Sequence, residues 1–180
     1  MIFLQKIENQ SMKMFDVTYF QRDVLEVAPD LLGKYLVRCY PNGSIERFRI
    51  VETEAYRGRE DLACHASKGR TKRTDIMFHS GGRLYVYLIY GMYYMLNIVT
   101  GNEDEPQAVL IRGVAGISGP GRLTKRLQID AGFNTEVFPS ERIWIEDSGE
   151  KPHYITTPRI GVDYAGEWKE MPWRFVTIPR

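Results

Sequence analysis

The segment IVETEAY, residues 50–56, carries two carboxylates that could act on a polar bond. Alternate side chains of a strand share a face, so Glu52, Glu54 and Tyr56 are predicted to point the same way. Their strand-forming neighbours indicate partial burial, where a carboxylate requires a partner or a function. One such function is general base or nucleophile at a glycosidic bond. The alternative is an exposed sheet face whose charges lie in water.

The segment HASKGRTKR, residues 65–73, could bind phosphate. It gathers four cations around Gly69, which would let backbone amides approach an anion. An ordinary solvated charge run is the alternative. His65 is a candidate catalytic residue because it lies between the Glu-bearing strand and this loop, although a lone histidine is more often structural than catalytic.

The segment LYVYLIYGMYYMLNI, residues 84–98, is uncharged and holds five tyrosines. We predict a hairpin, because Gly91 separates two strand-like halves and tolerates the positive φ of a tight turn. Tyr90 and Met92 would stand at its tip, where apolar groups gain nothing unless they insert into a partner such as stacked base pairs. Tyr87 could stack on a flat base. The alternative is that these tyrosines pack a core.

A further arginine and a glycine-rich turn complete the candidate residues. Arg112 ends the apolar run AVLI, and GPGRLTKR sets Gly119, Gly121 and Arg122 around a predicted helix start. A helix start with flanking cations suits a phosphate. A simple loop-to-helix junction explains the same residues equally well.

The elements that would position these residues are strands gathered around a few helices. Short helices are predicted from Asp16 or Thr18 as cap, over residues 24–32, and over residues 122–129. The Asn42-Gly43 pair predicts a hairpin between the strands YLVRCY and IERFRIVETEAY. Other strands are predicted at residues 84–98, at residues 107–113, in RIWIED and in PWRFVTI, with residues 57–82 mostly loop. This pattern indicates an α+β single domain, with a mainly antiparallel sheet flanked by helices and a protruding β-hairpin.

The bulk composition excludes several classes of protein. The 180 residues, 43% hydrophobic and 26% charged with a net charge of +1, suit one soluble domain whose positive charge must be local if it binds nucleic acid. Cys39 and Cys64 show no zinc spacing and are predicted to be free thiols. No apolar run is typical of a signal peptide or a membrane helix. We expect a loosely ordered arm at residues 1–14, a catalytic domain at residues 15–180, and an intracellular monomer, cytoplasmic if bacterial and nuclear if eukaryotic.

Taken in order, these segments resemble the alkyladenine (3-methyladenine) DNA glycosylases. The matching segments are LLGKYLVR, PNGS, RIVETEAY, the loop at 65–73, MF at 77–78, LYVYLIYGMYYMLNI, AVLIRG, SGPGRLTKRL and RIGVDYAGEW. The resemblance covers nearly the whole chain. It implies a base-excision DNA repair enzyme that flips alkylated or deaminated purines out of duplex DNA. A water, rather than a lysine, would cleave the N-glycosidic bond and leave an abasic site, without a metal or an organic cofactor.

The resemblance also implies a role for each candidate residue. Glu54 would be the general base that activates the water, with His65 and Arg112 as catalytic neighbours. An electron-rich base-binding pocket, which favours a cationic purine, would consist of Tyr56, His65, Tyr87 and Asn97, the last crowding the amino group of normal guanine. The DNA contacts would be Tyr90 as a wedge, Met92 and Tyr93 in the minor groove, and Arg70, Thr71 and Arg73 at the backbone.

The sequence departs from the family pattern at three places and leaves two other functions open. Thr74 stands where the family usually has asparagine, Cys64 where a small residue such as alanine is common, and residues 101–106 form an acidic loop. A non-catalytic module that binds lesions or other nucleic acid would not need Glu54. A small-carbohydrate or nucleoside hydrolase that paired Glu52 with Glu54 would not need the hairpin tip.

Overall fold

A computed structural model describes residues 12–178, and these residues form an α+β fold around one antiparallel sheet. Six strands follow the order β3-β4-β5-β2-β1-β7, while β6 pairs with β5 and the β8–β9 hairpin joins β2 through β9. The strands are β1 (Tyr35–Cys39), β2 (Ile45–Arg57), β3 (Leu84–Ile89), β4 (Tyr93–Thr100), β5 (Gln107–Val114), β6 (Ile117–Ser118), β7 (Ile143–Glu146), β8 (Tyr154–Thr157) and β9 (Arg174–Thr177). The predicted fold class is confirmed.

Two α-helices and several 3₁₀ turns cover the sheet within the described range. They are α1 (Val24–Asp30) and α2 (Pro120–Arg126), with 3₁₀ turns at Val17–Phe20, His65–Lys68, Asp75–Phe78, Ala131–Phe133 and Asp163–Glu170. The Asp23 carboxylate accepts from the Leu25 N–H at 2.9 Å and caps α1. Asp16 caps the first 3₁₀ turn by accepting from the Thr18 N–H at 2.9 Å, so Asp16 rather than Thr18 is the cap.

Strand β2 is the structural centre, because it changes partners along its length. Its first half pairs with β1, and its second half lies between β5 and β9. The register shifts on both sides of Glu52, which marks the change as an irregularity in the ladder. The predicted Asn42-Gly43 hairpin joins β1 to β2, with Gly43 at a φ of 82°. Flanking strands on both edges bury the second half of β2.

The β3–β4 hairpin protrudes from the sheet with Tyr90, Gly91 and Met92 at its turn, as predicted. Gly91 has the expected positive φ, 68°, and Tyr90 also has a positive φ, 53°. The Met92 N–H donates to the Ile89 carbonyl at 3.2 Å, which closes the turn. Two successive positive φ values match the twist of a hairpin, but the first belongs to a bulky side chain that rarely adopts one.

Residues 57–82 have the predicted irregular backbone, but some of their side chains are buried. Cys64, Ala66, Met77 and Phe78 form a second hydrophobic cluster with Tyr85 and Val99 of the neighbouring strands. Two 3₁₀ turns interrupt the segment. The polar composition hides this packing, because the buried residues are separated by the exposed cations of the basic loop.

The structure differs from the prediction in the bounds of helix α2, in strand β8 and in the described part of the N-terminal arm. Helix α2 begins two residues earlier than predicted, with Pro120 in its first turn, and ends at Arg126. Strand β8 was not predicted, because its side chains are mostly exposed and show no apolar alternation. Residues 1–11 of the predicted arm lie outside the described range, while Met14 forms an antiparallel bridge with Glu146. Among the helices of residues 12–178, none has the length and apolarity that crossing a membrane requires.

Candidate active site

Glu54 lies in the second half of β2 and is completely buried. Its Oε2 accepts a hydrogen bond from the Tyr56 hydroxyl at 2.8 Å, and its Oε1 accepts from the Ile160 backbone N–H at 2.9 Å. The Arg112 Nε lies 3.5 Å from the same Oε1. A charged group without solvent contact therefore keeps two hydrogen-bond donors and one ion-pair partner, which is the condition for tolerating it in a protein interior.

A second carboxylate extends this charged group. Glu52 Oε1 lies 2.9 Å from Arg112 Nε and accepts from Arg174 Nε at 2.6 Å. Arg112 thus contacts both glutamates, as expected for alternating residues that share one side of a strand. Two arginines offset two carboxylates here, so the like charges are compensated rather than opposed.

Burial raises the pKa of the Glu54 carboxyl above its usual value of 4.5, and the nearby Arg112 opposes that rise. Removal from water penalises the ionised form, while the arginine and the two hydrogen bonds favour it. A carboxylate with a raised pKa is a stronger proton acceptor than an exposed one. Glu54 is therefore suited to general-base chemistry.

An aromatic pocket adjoins Glu54 through Tyr56. It is lined by Tyr56, Ala63, His65, Met77, Tyr85, Tyr87, Asn97 and Ala108. The four residues predicted for a base pocket thus lie together, although they come from β2, β3, β4 and the 65–68 turn. Their role in binding a base remains a prediction.

Tyr85, for which the sequence indicated only a core position, belongs to this pocket. Its hydroxyl lies 2.8 Å from His65 Nδ1, and its ring centroid is 5.0 Å from that of Tyr87. The His65 ring meets Tyr87 edge-on at 4.7 Å. Tyr85 and Tyr87 share a strand face, and this spacing was the signal that could have placed both residues in the pocket.

His65 is neutral near pH 7. Burial, followed by the charges of Arg73 and Lys68, lowers the pKa of the His65 imidazole to about 4. Within the described residues, no hydrogen bond or ion pair joins His65 to Glu54, whereas Tyr56 bonds to Glu54 and lines the pocket together with His65. The structure therefore joins Arg112 to the carboxylate and His65 to the pocket.

Asn97 is buried on β4 at the pocket wall. Its Nδ2 donates to the Tyr85 carbonyl at 3.1 Å, a bond that spans the paired strands β3 and β4. The side chain is thereby held in one orientation, so it presents a fixed polar group to anything that enters the pocket.

The hairpin tip exposes the apolar residues predicted to meet DNA. Tyr90 is 81% exposed and Met92 is 65% exposed, while Tyr93 is partly covered by the start of α2. A Cβ on Gly121 would lie 2.7 Å from the Tyr93 ring, so only glycine permits this contact. Packing against the hairpin explains Gly121 and favours the loop-to-helix junction over a phosphate site.

The basic loop is ordered by internal contacts. Arg70 pairs with Asp75 at 2.7 Å and with Asp104 of the acidic loop at 3.1 Å. Thr74, where the family usually has asparagine, donates its hydroxyl to the Gly69 carbonyl at 2.8 Å and accepts from the Thr71 N–H at 2.9 Å. The Arg73 guanidinium lies 5.1 Å above the Tyr87 ring.

Sequence reasoning missed the contribution of the C-terminal segment to this site. Arg159 is buried and forms a two-pronged ion pair with Asp61, at 2.6 and 2.8 Å. Its guanidinium lies 4.8 Å from the Tyr56 ring, and the next residue, Ile160, donates to Glu54. Only the motif RIGVDYAGEW indicated that this segment matters.

The described residues offer no evident metal site. Within residues 12–178, no group of three or more histidine, cysteine or carboxylate side chains could hold a metal ion. Cys39 and Cys64 are free thiols, and burial raises the pKa of the Cys64 thiol to about 12.

Comparison with known proteins gives a consistent result. Residues 18–178 match the family model described as methylpurine-DNA glycosylase. Proteins named "Putative 3-methyladenine DNA glycosylase" are 42% identical in Psychrobacter cryohalolentis, over 88% of this chain and 89% of that protein, and 46% identical in Methanocella arvoryzae, over 87% and 88%. One from Legionella pneumophila is 47% identical over 87% of this chain and 90% of its own length.

Proposed function

The chain belongs to the methylpurine-DNA glycosylase family, and we propose that it removes alkylated or deaminated purines from duplex DNA by hydrolysing the N-glycosidic bond. The observation that carries this proposal is the position of Glu54. A buried carboxylate with a raised pKa lies directly behind an aromatic pocket, beside an exposed apolar hairpin. This combination suits cleavage of a flipped nucleotide.

Glu54 acts as the general base in this proposal. Its carboxylate accepts a proton from a water as that water attacks C1′ of the sugar, and the electron pair of the glycosidic bond leaves with the purine. Its negative charge also stabilises the positive charge that develops on the sugar. Arg112, 3.5 Å from Glu54, keeps the carboxylate ionised and oriented. The neutral His65 side chain forms part of the pocket wall and helps to hold the water.

Water reaches Glu54 only if the site opens. The residue has no exposed surface, although its direct partners Tyr56, Ile160 and Arg112 are each partly exposed. Entry of the nucleotide into the neighbouring pocket therefore separates the side chains that cover the carboxylate. A site that is closed without substrate also protects the base from bulk solvent.

The exposed hairpin supplies the means of base flipping. Unstacking a base costs a few kcal/mol, and an apolar wedge in the vacated space offsets part of that cost. Tyr90 is the wedge, with Met92 and Tyr93 beside it in the minor groove. The phosphate backbone is contacted by Arg70, Thr71 and Arg73. To reach it, Arg70 gives up its ion pairs with two exposed carboxylates.

The pocket selects damaged purines in this proposal. Tyr56, His65 and Tyr87 stack against the extruded base, and Asn97 opposes the exocyclic amino group of guanine. The fixed orientation of Asn97 favours such steric exclusion of guanine, because a side chain that could rotate would move away and relieve the clash. The enzyme is monofunctional and acts as a monomer, with duplex DNA as its partner.

Replacing Glu54 with glutamine tests the assignment. We expect Glu54→Gln to lower base release by about 100-fold or more, because a neutral amide cannot accept the water's proton. Binding to lesion-containing duplex should stay within about threefold, since the pocket and hairpin are unchanged. The measurement uses duplexes carrying hypoxanthine, ethenoadenine or 7-methylguanine, with abasic sites scored by alkali cleavage.

Glu141→Gln is the matched control, because it makes the same charge change at an exposed position. It should leave excision unaltered. Near-normal excision by Glu54→Gln would contradict the assigned role. Binding without base release by the wild-type protein would instead identify a non-catalytic binding module, and cleavage of free nucleosides alone would identify a nucleoside hydrolase.

A further inference from the structure

The acidic loop, residues 101–106, departs from the family pattern and has no part in the proposed function. Its backbone is bonded to the segment that follows the basic loop, because the Asp104 N–H donates to the Phe78 carbonyl at 2.8 Å. The Glu103 carboxylate accepts from the Ser80 N–H of the same segment at 3.1 Å. The acidic loop is therefore held beside the basic loop.

Asp104 contacts one of the four cations of the basic loop, residues 65–73. Arg70 Nη1 lies 3.1 Å from Asp104 Oδ1, and Arg70 Nε lies 2.7 Å from Asp75 Oδ1. The other three cations of the loop form no ion pair with the residues that the structure describes; they are Lys68, Lys72 and Arg73. Arg70 is thus the loop cation whose charge the folded chain already offsets.

The backbone of Asp104 favours this contact. Its φ is 63°, in the left-handed region that aspartate and asparagine adopt more readily than most residues. Together with the bond to the Phe78 carbonyl, this conformation fixes the backbone from which the carboxylate reaches Arg70. A carboxylate that is already positioned loses little conformational freedom when it pairs.

We propose that Asp104 substitutes for a DNA phosphate in the free protein, so that it competes with the phosphate backbone for Arg70 and weakens binding to duplex DNA. This inference rests on the proposed function, which places Arg70 at the backbone. Carboxylates and phosphates bind a guanidinium in the same way, through anionic oxygens that face its N–H groups. Because Asp104 and Asp75 already take Nη1 and Nε, Arg70 offers its full set of donors to a phosphate only after these contacts break.

The competition affects the affinity for DNA rather than the choice of base. Phosphate contacts carry no information on the base, so weakening one of them lowers the affinity for damaged and undamaged duplex by the same factor. Phosphate contacts supply essentially all of the binding to an undamaged duplex. Since affinity differences lie mostly in dissociation rates, the acidic loop shortens the time that the protein stays on DNA without a lesion.

A double-mutant cycle between Asp104 and Arg70 tests this competition. We expect Asp104→Asn to tighten binding to an undamaged duplex about three- to fivefold at low salt, because an exposed ion pair contributes up to about that factor. In an Arg70→Gln background, the same substitution should change the affinity less than about twofold, since the contested cation is gone. Asparagine keeps the backbone conformation, because it also tolerates a positive φ. Fluorescence anisotropy of a labelled duplex measures each affinity.

Glu105→Gln is the matched control. It makes the same charge change in the same exposed loop, but the Glu105 carboxylate accepts from Asn102 Nδ2 at 3.1 Å and contacts no cation of the basic loop. It should change the affinity less than about twofold. Neither side chain lines the pocket, so the single-turnover excision rate at saturating enzyme should stay within about twofold of wild type in both single variants.

The outcomes separate this inference from the proposed function. Unchanged affinity in Asp104→Asn, equal tightening in Glu105→Gln, or tightening that persists without Arg70 would overturn the inference. Tightening confined to a lesion-containing duplex would also contradict it. A wild-type protein that releases no base would overturn the proposed function instead, and the binding cycle would still decide whether Asp104 competes for Arg70.

Discussion

The central residue of this protein is a carboxylate that folding removes from water. Glu54 accepts hydrogen bonds from Tyr56 and Ile160 and forms an ion pair with Arg112, and these three partners come from separate parts of the chain. Burial makes the carboxylate more basic, and the donors keep it from becoming permanently protonated. In the proposed mechanism this single glutamate accepts the proton, while Glu52 beside it is held by Arg112 and Arg174.

The raised pKa of Glu54 predicts how excision depends on pH. The general base works only when ionised, so the rate falls as pH drops through the raised pKa, which lies above 4.5. His65 stays neutral down to about pH 4, so its protonation does not contribute to this fall in rate. As pH is lowered, we expect kcat/KM for a hypoxanthine duplex to fall to half of its maximum at a pH that is still above 4.5. Circular dichroism at each pH controls for acid unfolding, and a midpoint at or below pH 4.5 would contradict the prediction.

At the scale of elements, the β3–β4 hairpin combines an exposed ring with an unfavourable backbone. Tyr90 adopts a φ of 53°, which L-residues with large side chains seldom take. Such a conformation costs of order 1–3 kcal/mol and is found mostly where function requires it. A tyrosine at this position is difficult to explain by stability, since its ring is exposed.

Replacing Tyr90 with glycine should separate stability from activity. Glycine adopts positive φ without steric cost, so we expect Tyr90→Gly to keep the free energy of unfolding or raise it by up to about 1 kcal/mol. Excision from duplex DNA should fall at least about tenfold, because no ring remains to fill the vacated stack. Urea titration and single-turnover assays measure the two quantities.

Tyr90→Phe is the control for that experiment. It keeps the ring and the backbone cost, so excision should remain within about threefold of wild type. If Tyr90→Gly excises lesions from duplex DNA as fast as wild type, the wedge assignment fails. If it also lowers the free energy of unfolding, the explanation from backbone strain fails.

At the scale of the whole molecule, the C-terminal segment ties the site together. Arg159 joins Asp61 in the irregular segment, the Ala55 carbonyl of β2 and the Trp168 carbonyl of the last 3₁₀ turn. The next residue then donates to Glu54. Residues far apart in sequence thus fix the pocket and the carboxylate in one rigid unit.

Removing Arg159 should destabilise the whole fold. Arg159→Met leaves the Asp61 carboxylate buried without its partner, and we expect a loss of about 3–5 kcal/mol in the free energy of unfolding. Urea unfolding followed by tryptophan fluorescence measures this loss. Arg22→Met is the control, because it breaks an ion pair with Asp30 that keeps over a third of each side chain in solvent, and it should cost about 1 kcal/mol or less. Equal effects of the two substitutions would contradict the prediction.

The sequence by itself determined the features that depend on local spacing. The antiparallel hairpins follow from Asn42-Gly43 and from Gly91, because turn residues and alternating side chains act over a few positions. The shared side of Glu52, Glu54 and Tyr56 follows from the two-residue period of a strand. The family was recognisable for the same reason, since its motifs are continuous segments.

Only the tertiary structure decided which distant side chains share a site. Nothing local indicated that Arg159 would compensate Asp61, that Tyr85 would bond His65, or that Arg73 would lie over Tyr87. Strand β8 was not predicted either, because a mostly exposed strand needs no apolar alternation and is held chiefly by backbone pairing with β9. Burial and charge compensation arise when separate segments meet. The pKa of Glu54, and with it the chemistry proposed for this protein, is therefore a property of the folded chain.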